Sequence, residues 1–206
     1  MGIPPATTTS TAARPQTGPL GRADRRQAIL AGAATAFADR GFAGTSMEEI
    51  AAASGITKLI VYRHFDSKEA LYRAVLGRVQ ERLAEELRAQ LADGPEGIAR
   101  SMLVVAREYP DGVRLLWRHA AREPQFAEYS DELRARALTV SRTLLEPYVD
   151  APMREWAAQT SVGYWVEAVL AWLEAGDPSR DEQFVAYASN ALRAAVTSWS
   201  AVNPTA

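Results

Sequence analysis

Apolar residues recur every three or four positions along most of this chain, which is the period of an α-helix with one buried face. Glycine, proline and aspartate separate these runs, and no stretch alternates apolar and polar residues as a half-buried strand does. After three helices near the N-terminus, the predicted helical segments are 67–91, 96–107, 112–121, 124–149, 152–173 and 180–200. The pattern predicts an all-α fold of about nine helices.

Two short helices with start and stop signals lie between residues 45 and 65. A capping box, Thr45-x-x-Glu48, predicts the start of the first helix, and Gly55 ends it. Thr57 is a suitable N-cap for the second helix, 58–65. Two short helices joined by a glycine-containing turn of three or four residues are typical of a helix-turn-helix motif.

The second helix of this pair has an outer face that is both apolar and basic. Val61 and Phe65 lie one turn apart and form its predicted buried stripe. Arginine on the other side can bind guanine, aliphatic groups can contact a thymine methyl, and flanking polar groups can bind phosphate. The alternative is a helical hairpin in which Leu59 and Ile60 pack against another element.

The next helix also begins with a candidate DNA contact, because its free N–H groups and Lys68 can hold a phosphate. From this and the preceding helices we predict ten DNA-binding residues: Thr45, Ser46, Thr57, Lys58, Leu59, Ile60, Tyr62, Arg63, His64 and Lys68. The charge distribution supports a DNA-binding N-terminus. Residues 22–80 carry a net charge of +3, whereas residues 81–206 carry −6, in a chain whose total is −2.

Residues 25–75 resemble the N-terminal domain of the TetR family of bacterial transcriptional repressors. The resemblance rests on an amphipathic first helix and four short motifs: Ile29, Ala33 and Phe37; Gly41-Phe42-x-x-Thr45; Ile50-Ala51-x-x-x-Gly55; Tyr62-x-His64-Phe65; and Ser67-Lys68-Glu69-x-Leu71. The chain departs from the family at Leu59, where a small residue is usual, and at Ile60, where a polar one is common. The resemblance implies a DNA-binding regulator that dimerises through its last two helices.

The last two helices also have the pattern of a dimer interface. Segment 152–173 is apolar nearly all round, and the last helix has a ridge of small residues that allows close approach of another helix. Both features suit a four-helix bundle across a two-fold axis. The predicted interface residues are Gly163, Leu170, Phe184, Ala188, Ala191 and Ala195. The alternative is that a core within one chain buries both faces.

Aromatic residues beside isolated ionisable groups suggest a small-molecule pocket between the DNA-binding unit and the dimer interface. The predicted effector-binding residues are Trp117, His119, Phe126, Tyr129, Tyr164 and Glu167. Each also has a structural interpretation, since the rings can belong to the core and His119 can be a hydrogen-bonded structural residue. Glu167 can lie either in the pocket or at the dimer interface.

Composition argues against other classes of protein. The 206 residues include no cysteine, and the sequence has no HExxH, GxSxG or glycine-rich phosphate loop. We therefore predict no enzymatic activity, catalytic residue, metal or cofactor. The lack of a long apolar run and of a signal peptide predicts a cytoplasmic protein with no membrane contact.

We divide the chain into four parts. Residues 1–21, rich in threonine, proline, alanine and glycine, are predicted to be a disordered tail. Residues 22–66 form the helix-turn-helix domain, 67–92 a long linking helix, and 93–206 an effector-binding and dimerisation domain. The predicted protein is a homodimeric repressor that a small molecule releases from a double-stranded, palindromic DNA operator. The alternative is a DNA-binding dimer that responds to no effector.

Overall fold

The computed structural model describes residues 21–202, so the predicted disordered tail lies outside the described residues except for Gly21. The described residues contain no strand, and the prediction of an all-α fold is confirmed. The helices are α1 Arg22–Gly44, α2 Met47–Ser54, α3 Lys58–His64, α4 Lys68–Gln90, α5 Gly94–Glu108, α6 Pro110–Arg114, α7 Ala127–Leu145, α8 Ala151–Ala175 and α9 Asp181–Val202. None of these helices is long and apolar enough to cross a membrane.

The segment between α6 and α7 differs most from the predicted pattern. The helix predicted over 112–121 is interrupted, because a π-helical turn, Leu115–His119, and a 3-10 turn, Ala120–Arg122, follow α6. Helix α7 then begins at Ala127 and not at Pro124. The residue before a proline avoids helical backbone angles, and Glu123 accordingly has an extended conformation (φ −107°, ψ 103°).

One continuous hydrophobic core runs from the N-terminal helices to the C-terminal ones. The predicted stripe of α1, including Ile29 and Phe37, is fully buried, as are Leu71 on α4 and Val105 on α5. A smaller cluster, which includes Leu138 and other residues of α7 and α8, lies apart from it. The boundary predicted between residues 66 and 67 is therefore not a break in packing.

Four aromatic rings join the N-terminal helices to the segment before α7. Tyr72 packs against Phe126 with ring centroids 4.2 Å apart, and Phe37 and Phe42 complete the cluster. Burial raises the pKa of Tyr72 to about 12, and its hydroxyl has no hydrogen-bond partner among the described residues. The cluster fixes the N-terminal helices against the rest of the chain.

Candidate nucleic-acid interface and ligand cavity

The corner between α1 and α2 corrects one predicted DNA contact. Gly41 has a left-handed backbone (φ 71°) that bends the end of α1, a conformation that costs glycine little. The Thr45 hydroxyl donates to the carbonyl oxygens of Gly41 (2.7 Å) and Ala36 (3.1 Å), and Thr45 is only 2% exposed. The predicted DNA contact through the Thr45 side chain is wrong, because that side chain closes the corner.

The helix start that the sequence placed at Thr45 lies one residue later. Ser46 is the N-cap of α2, and its Oγ accepts a hydrogen bond from the Glu49 backbone N–H (3.2 Å). The Glu49 carboxylate in turn accepts from the Ser46 backbone N–H (2.8 Å). The capping box is therefore Ser46–Glu49, which corrects the predicted Thr45–Glu48 box. DNA binding by the half-buried Ser46 stays a prediction.

Helix α3 presents the face that the sequence predicts. Val61 and Phe65 are buried, which confirms the inner stripe, while Leu59 is 65% exposed and Tyr62 44% exposed. Thr57, Lys58 and Arg63 are also exposed, and Ile60 and His64 are half-buried. Leu59 thus does not pack on another element of the described chain, as the hairpin alternative required.

Lys58 connects the exposed helix to α2. Its ammonium group forms an ion pair with Glu48 and lies 5.7 Å from the centre of the Tyr62 ring. The hydrogen bond to Glu48 raises the pKa of Lys58, so the side chain is positively charged at neutral pH. Both ion-pair partners are largely exposed, so the pair can open at little cost when a phosphate competes for Lys58.

Lys68 contacts the corner between α1 and α2 in the free protein. Its Nζ donates to the carbonyl oxygens of Phe42 and Thr45, each at 2.8 Å, and lies 4.4 Å from the centre of the Phe42 ring. These carbonyls lie at and just after the end of α1, where regular helical hydrogen bonding stops. In the free protein Lys68 ties α4 to the α1–α2 corner, and its phosphate contact stays a prediction.

Three arginines at the start of α1, which the predicted site omitted, lie close to the end of α3. The pKa of His64 is lowered from 6.5, first by burial and then by the positive charges of Arg22, Arg25 and Arg26. The guanidinium group of Arg26 also lies 5.4 Å from the centre of the Phe65 ring. The sequence signal was present, because these arginines fall within five residues, but only the fold places them beside α3.

A large cavity opens between α4, α5, α7, α8 and α9, with a volume of about 1040 Å³. Buried apolar side chains form its floor, among them Leu83, Met102 and Trp165. The partly exposed Val140 and Leu144 of α7 continue the apolar lining towards solvent. Its size and lining are those of a small-molecule site.

Most of the predicted effector-binding residues are not in this cavity. Trp117 lines it, as predicted. The other five predicted residues do not: His119, Phe126, Tyr129, Tyr164 and Glu167. Phe126 belongs to the aromatic cluster, and the Tyr164 hydroxyl donates to the Ala188 carbonyl (2.8 Å). Glu167 is exposed on the opposite face of α8, so the prediction that it lies in the pocket is wrong.

The predicted dimer residues divide between the inside and the outside of the chain. Leu170, Phe184 and Ala188 are buried in the chain's own core, so assigning them to a dimer interface is wrong. In contrast, Gly163 has open space where a Cβ would lie, Ala191 is exposed and Ala195 is half-buried. The exposed sides of α8 and α9 also carry Trp156, 49% exposed, and Tyr187, 69% exposed.

The described residues contain no group of three or more histidine, aspartate or glutamate side chains arranged to hold a metal ion. They do contain the helix pair α2 and α3. Helix α2 supports α3, and α3 exposes an apolar and basic face. These features define a helix-turn-helix DNA-binding protein.

Comparison with known proteins relates the N-terminal part of the chain to one family. Residues 29–75 match the model of the bacterial regulatory proteins of the tetR family. The chain is 42% identical over 72 residues to the transcriptional activator FasR of Mycolicibacterium smegmatis, covering 35% of this chain and 33% of FasR. It is 38% identical over 120 residues to a helix-turn-helix transcriptional repressor of Mycobacterium tuberculosis, covering 57% of this chain and 63% of the repressor. Residues 29–75 are therefore similar to the N-terminal domain of the tetR family, and both relatives are transcriptional regulators.

Solved structures extend the likeness to the whole fold. A TetR-like transcriptional regulator from Rhodococcus sp. RHA1 superimposes with a TM-score of 0.72 at 24% identity, over 86% of this chain and 96% of that one. AibR, in complex with isovaleryl coenzyme A and operator DNA, gives a TM-score of 0.63 at 23% identity, over 82% and 97% of the two chains. The sequence matches to FasR and to the mycobacterial repressor, however, cover less than two thirds of those relatives.

Proposed function

We propose that this chain is a sequence-specific transcriptional regulator that represses by binding a palindromic operator and is released by a small molecule. One observation carries the proposal: α3 is held to the core by Val61 and Phe65 while Leu59, Tyr62 and Arg63 stay exposed along its other side. A face of this kind fits the major groove, where arginine and aliphatic groups distinguish base pairs.

Operator binding requires two copies of α3. The exposed sides of α8 and α9 support a homodimer, since they combine small residues such as Ala191 with large exposed rings such as Tyr187. A two-fold dimer places its two α3 helices in successive major grooves, roughly 34 Å apart. A palindromic operator follows from that symmetry.

Response to an effector is supported by the cavity and by two connections from it to the DNA-binding helices. Leu83 and Leu87 of α4 line the cavity, and the other end of α4 is tied to the α1–α2 corner by Lys68. Trp117 also lines the cavity, a few residues after Asp111, whose carboxylate accepts a hydrogen bond from Thr35 of α1 (2.8 Å).

A ligand that favours one arrangement of these helices changes the separation of the two α3 helices. The coupling free energy between ligand binding and DNA binding is typically about 1 to 3 kcal/mol. AibR, whose crystals contain both a ligand and operator DNA, shares this fold and is consistent with such a device. The two relatives differ in the direction of control, since FasR is an activator and the mycobacterial relative a repressor. We favour repression, in which effector binding weakens DNA binding.

Removal of Arg63 tests whether α3 reads bases. Operator duplexes are first selected from a random pool with the unaltered protein. Arg63→Ala should weaken binding to the selected duplex by about 1 to 3 kcal/mol and relax base preference at one position per half-site, because a bidentate contact to guanine is lost. Fluorescence anisotropy on selected and random duplexes measures both effects.

Arg180→Ala is the matched control. Arg180 is also an exposed arginine, but it lies just before α9, far from α3 in the sequence. This variant should leave both affinities unchanged. Equal losses of affinity for selected and random DNA in Arg63→Ala would show that Arg63 contacts only the backbone.

The lowered pKa of His64 predicts that DNA binding depends on pH. The free protein keeps His64 neutral to below pH 6.5, because burial and the arginines of α1 oppose its charge. A DNA phosphate beside His64 favours the charged form, so the complex takes up a proton. Operator affinity should therefore rise as the pH falls from about 8 to about 6, and His64→Gln should flatten this dependence.

The stability of the free protein has the opposite dependence. A lowered pKa in the folded state means that stability is greatest above pH 6.5 and falls as the pH drops through the folded-state pKa. Thermal denaturation over the same pH range separates this effect from DNA binding. Unaltered pH dependence of operator affinity in His64→Gln would remove His64 from the interface.

The alternative is a DNA-binding dimer with no effector. The two candidate functions differ in one measurable property: in a dimer without an effector, no small molecule should alter operator affinity. The cavity favours the ligand-responsive protein, because a volume of about 1040 Å³ lined mainly by apolar side chains is typical of a small-molecule site.

A further inference from the structure

We propose that the cavity binds an amphiphile with a long aliphatic chain and an anionic head group, which the guanidinium groups of Arg88 and Arg134 bind at the cavity mouth. The proposal names the ligand class of the site described above and rests on the ligand-responsive function proposed there.

The apolar lining is long as well as large. It extends from the buried floor at Leu83 and Trp165 to Val140 and Leu144 on one side of α7 and to Tyr148 in the turn after it. These three residues are 38% to 48% exposed. An aliphatic chain on these residues covers apolar surface from the floor to the mouth. The volume, about 1040 Å³, lies just above the usual range for small-molecule pockets, about 300 to 1,000 Å³.

Four arginines line the cavity, and two of them have no carboxylate partner. Arg193 donates to both carboxylate oxygens of Glu96 (2.5 and 2.6 Å), and Arg136 forms an ion pair with Glu132. Arg134 donates only to the neutral amide oxygen of Gln159 (3.1 Å). Arg88 has no hydrogen bond or ion pair with any described residue.

Arginines of α4 and α7 that do not line the cavity all have a partner. Arg73 and Arg82 of α4 and Arg142 of α7 pair with carboxylates, and Arg78 of α4 donates to the Tyr109 hydroxyl. Asp131 is the only acidic residue among those that line the cavity. The mouth therefore keeps positive charge that the protein itself does not neutralise, beside an apolar interior.

An anionic head group supplies the missing partner. A carboxylate can accept hydrogen bonds from a guanidinium group in bidentate geometry, and so can a phosphate. A fatty acid and an acyl thioester of coenzyme A share this chemistry, since both join an aliphatic chain to an anion. A cationic head group is repelled by the same arginines, and a neutral one leaves them unpaired.

The test measures ligand binding to the full-length protein by isothermal titration calorimetry. The probes share a ten-carbon chain and differ in the head group: decanoate, decanoyl coenzyme A, 1-decanol and decyltrimethylammonium. We expect at least one of the two anionic probes to bind more tightly than the alcohol and the cation. The tighter anionic probe shows whether a carboxylate or a coenzyme A phosphate is the head group.

Two variants assign the effect to the unpaired arginines. In Arg88→Gln with Arg134→Gln, affinity for the anionic probe should fall at least about tenfold, while affinity for 1-decanol changes less than about twofold. Arg136→Gln is the matched control, because Arg136 also lines the cavity but already has a carboxylate partner. With octanoate and dodecanoate, each added methylene should raise affinity by up to about fourfold.

Several results would overturn the proposal: no binding of any probe, binding of 1-decanol or the cation as tight as that of the anions, or full affinity of the double variant for the anions. Each single variant repeats the test if the double variant has a lowered melting temperature. Selected operator DNA is titrated in parallel. Loss of ligand binding with intact DNA binding refutes the ligand class alone, whereas an unaltered protein that binds no DNA refutes the proposed function.

Discussion

Replacing Gly32 by alanine should destabilise the protein by about 3 kcal/mol, because helices α1 and α2 touch at this glycine. A Cβ there would lie 2.5 Å from the backbone nitrogen of Ser54 and 2.7 Å from its Cα, so the backbone of α2 must move. The melting temperature should fall by about 10 °C in a chain of this size. Operator affinity should fall as well, since α2 supports α3.

Gly77→Ala is the matched control for this substitution. Gly77 also lies inside a helix, α4, but no atom lies within 4 Å of the position that its Cβ would take. Alanine should therefore stabilise α4 by about 0.5 to 1 kcal/mol, because glycine is the more flexible residue in the unfolded chain. A melting temperature for Gly32→Ala that equals or exceeds that of the unaltered protein would contradict the close approach of α1 and α2.

Replacing Ala191 by arginine should abolish the proposed dimer and, with it, tight operator binding. Ala191 is exposed on α9 in the single chain, on the side that we assign to the two-fold interface. A large charged side chain there prevents close helix packing and buries an unpaired charge, which costs about 3 to 5 kcal/mol. With one half-site bound at a time, operator affinity should fall about 100-fold or more.

Sedimentation velocity and operator titration measure the two effects separately. Ala135→Arg serves as the control, since Ala135 is an exposed alanine on α7. It should leave sedimentation and DNA affinity unaltered. An unchanged dimer in Ala191→Arg would place the interface on another surface and leave the helix-turn-helix assignment intact.

The helix-turn-helix could be predicted from sequence because its determinants are local. The glycine-containing turn and the inner stripe of Val61 and Phe65 depend on spacing along one helix or one turn, and the structure confirms both. The predicted capping box began one residue too early, because Thr45 and Ser46 are both suitable N-caps and each precedes a glutamate by three positions. Only the bend at Gly41, which buries Thr45, decides between them.

The pocket and the interface could not be predicted in the same way, because both depend on which helix packs on which face. Phe126 and Trp117 are aromatic residues near each other in the chain, yet one completes a buried cluster and the other lines the cavity. Leu170 and Phe184 have the spacing expected of an interface, but the chain's own core covers them. Arg88 was not a predicted site residue, because its role depends on a cavity mouth where no described carboxylate pairs with it.

The sequence by itself determined that the protein is all-α, where most helices begin and end, and that α3 carries an exposed apolar and basic face. These properties follow from local backbone preferences and from the period of apolar residues, which act over a few residues. The tertiary structure alone decided which apolar faces meet, that Lys68 closes the α1–α2 corner, and which side chains surround the cavity. Those outcomes depend on contacts between residues far apart in the chain, and the free energy of such contacts is not a property of any one segment.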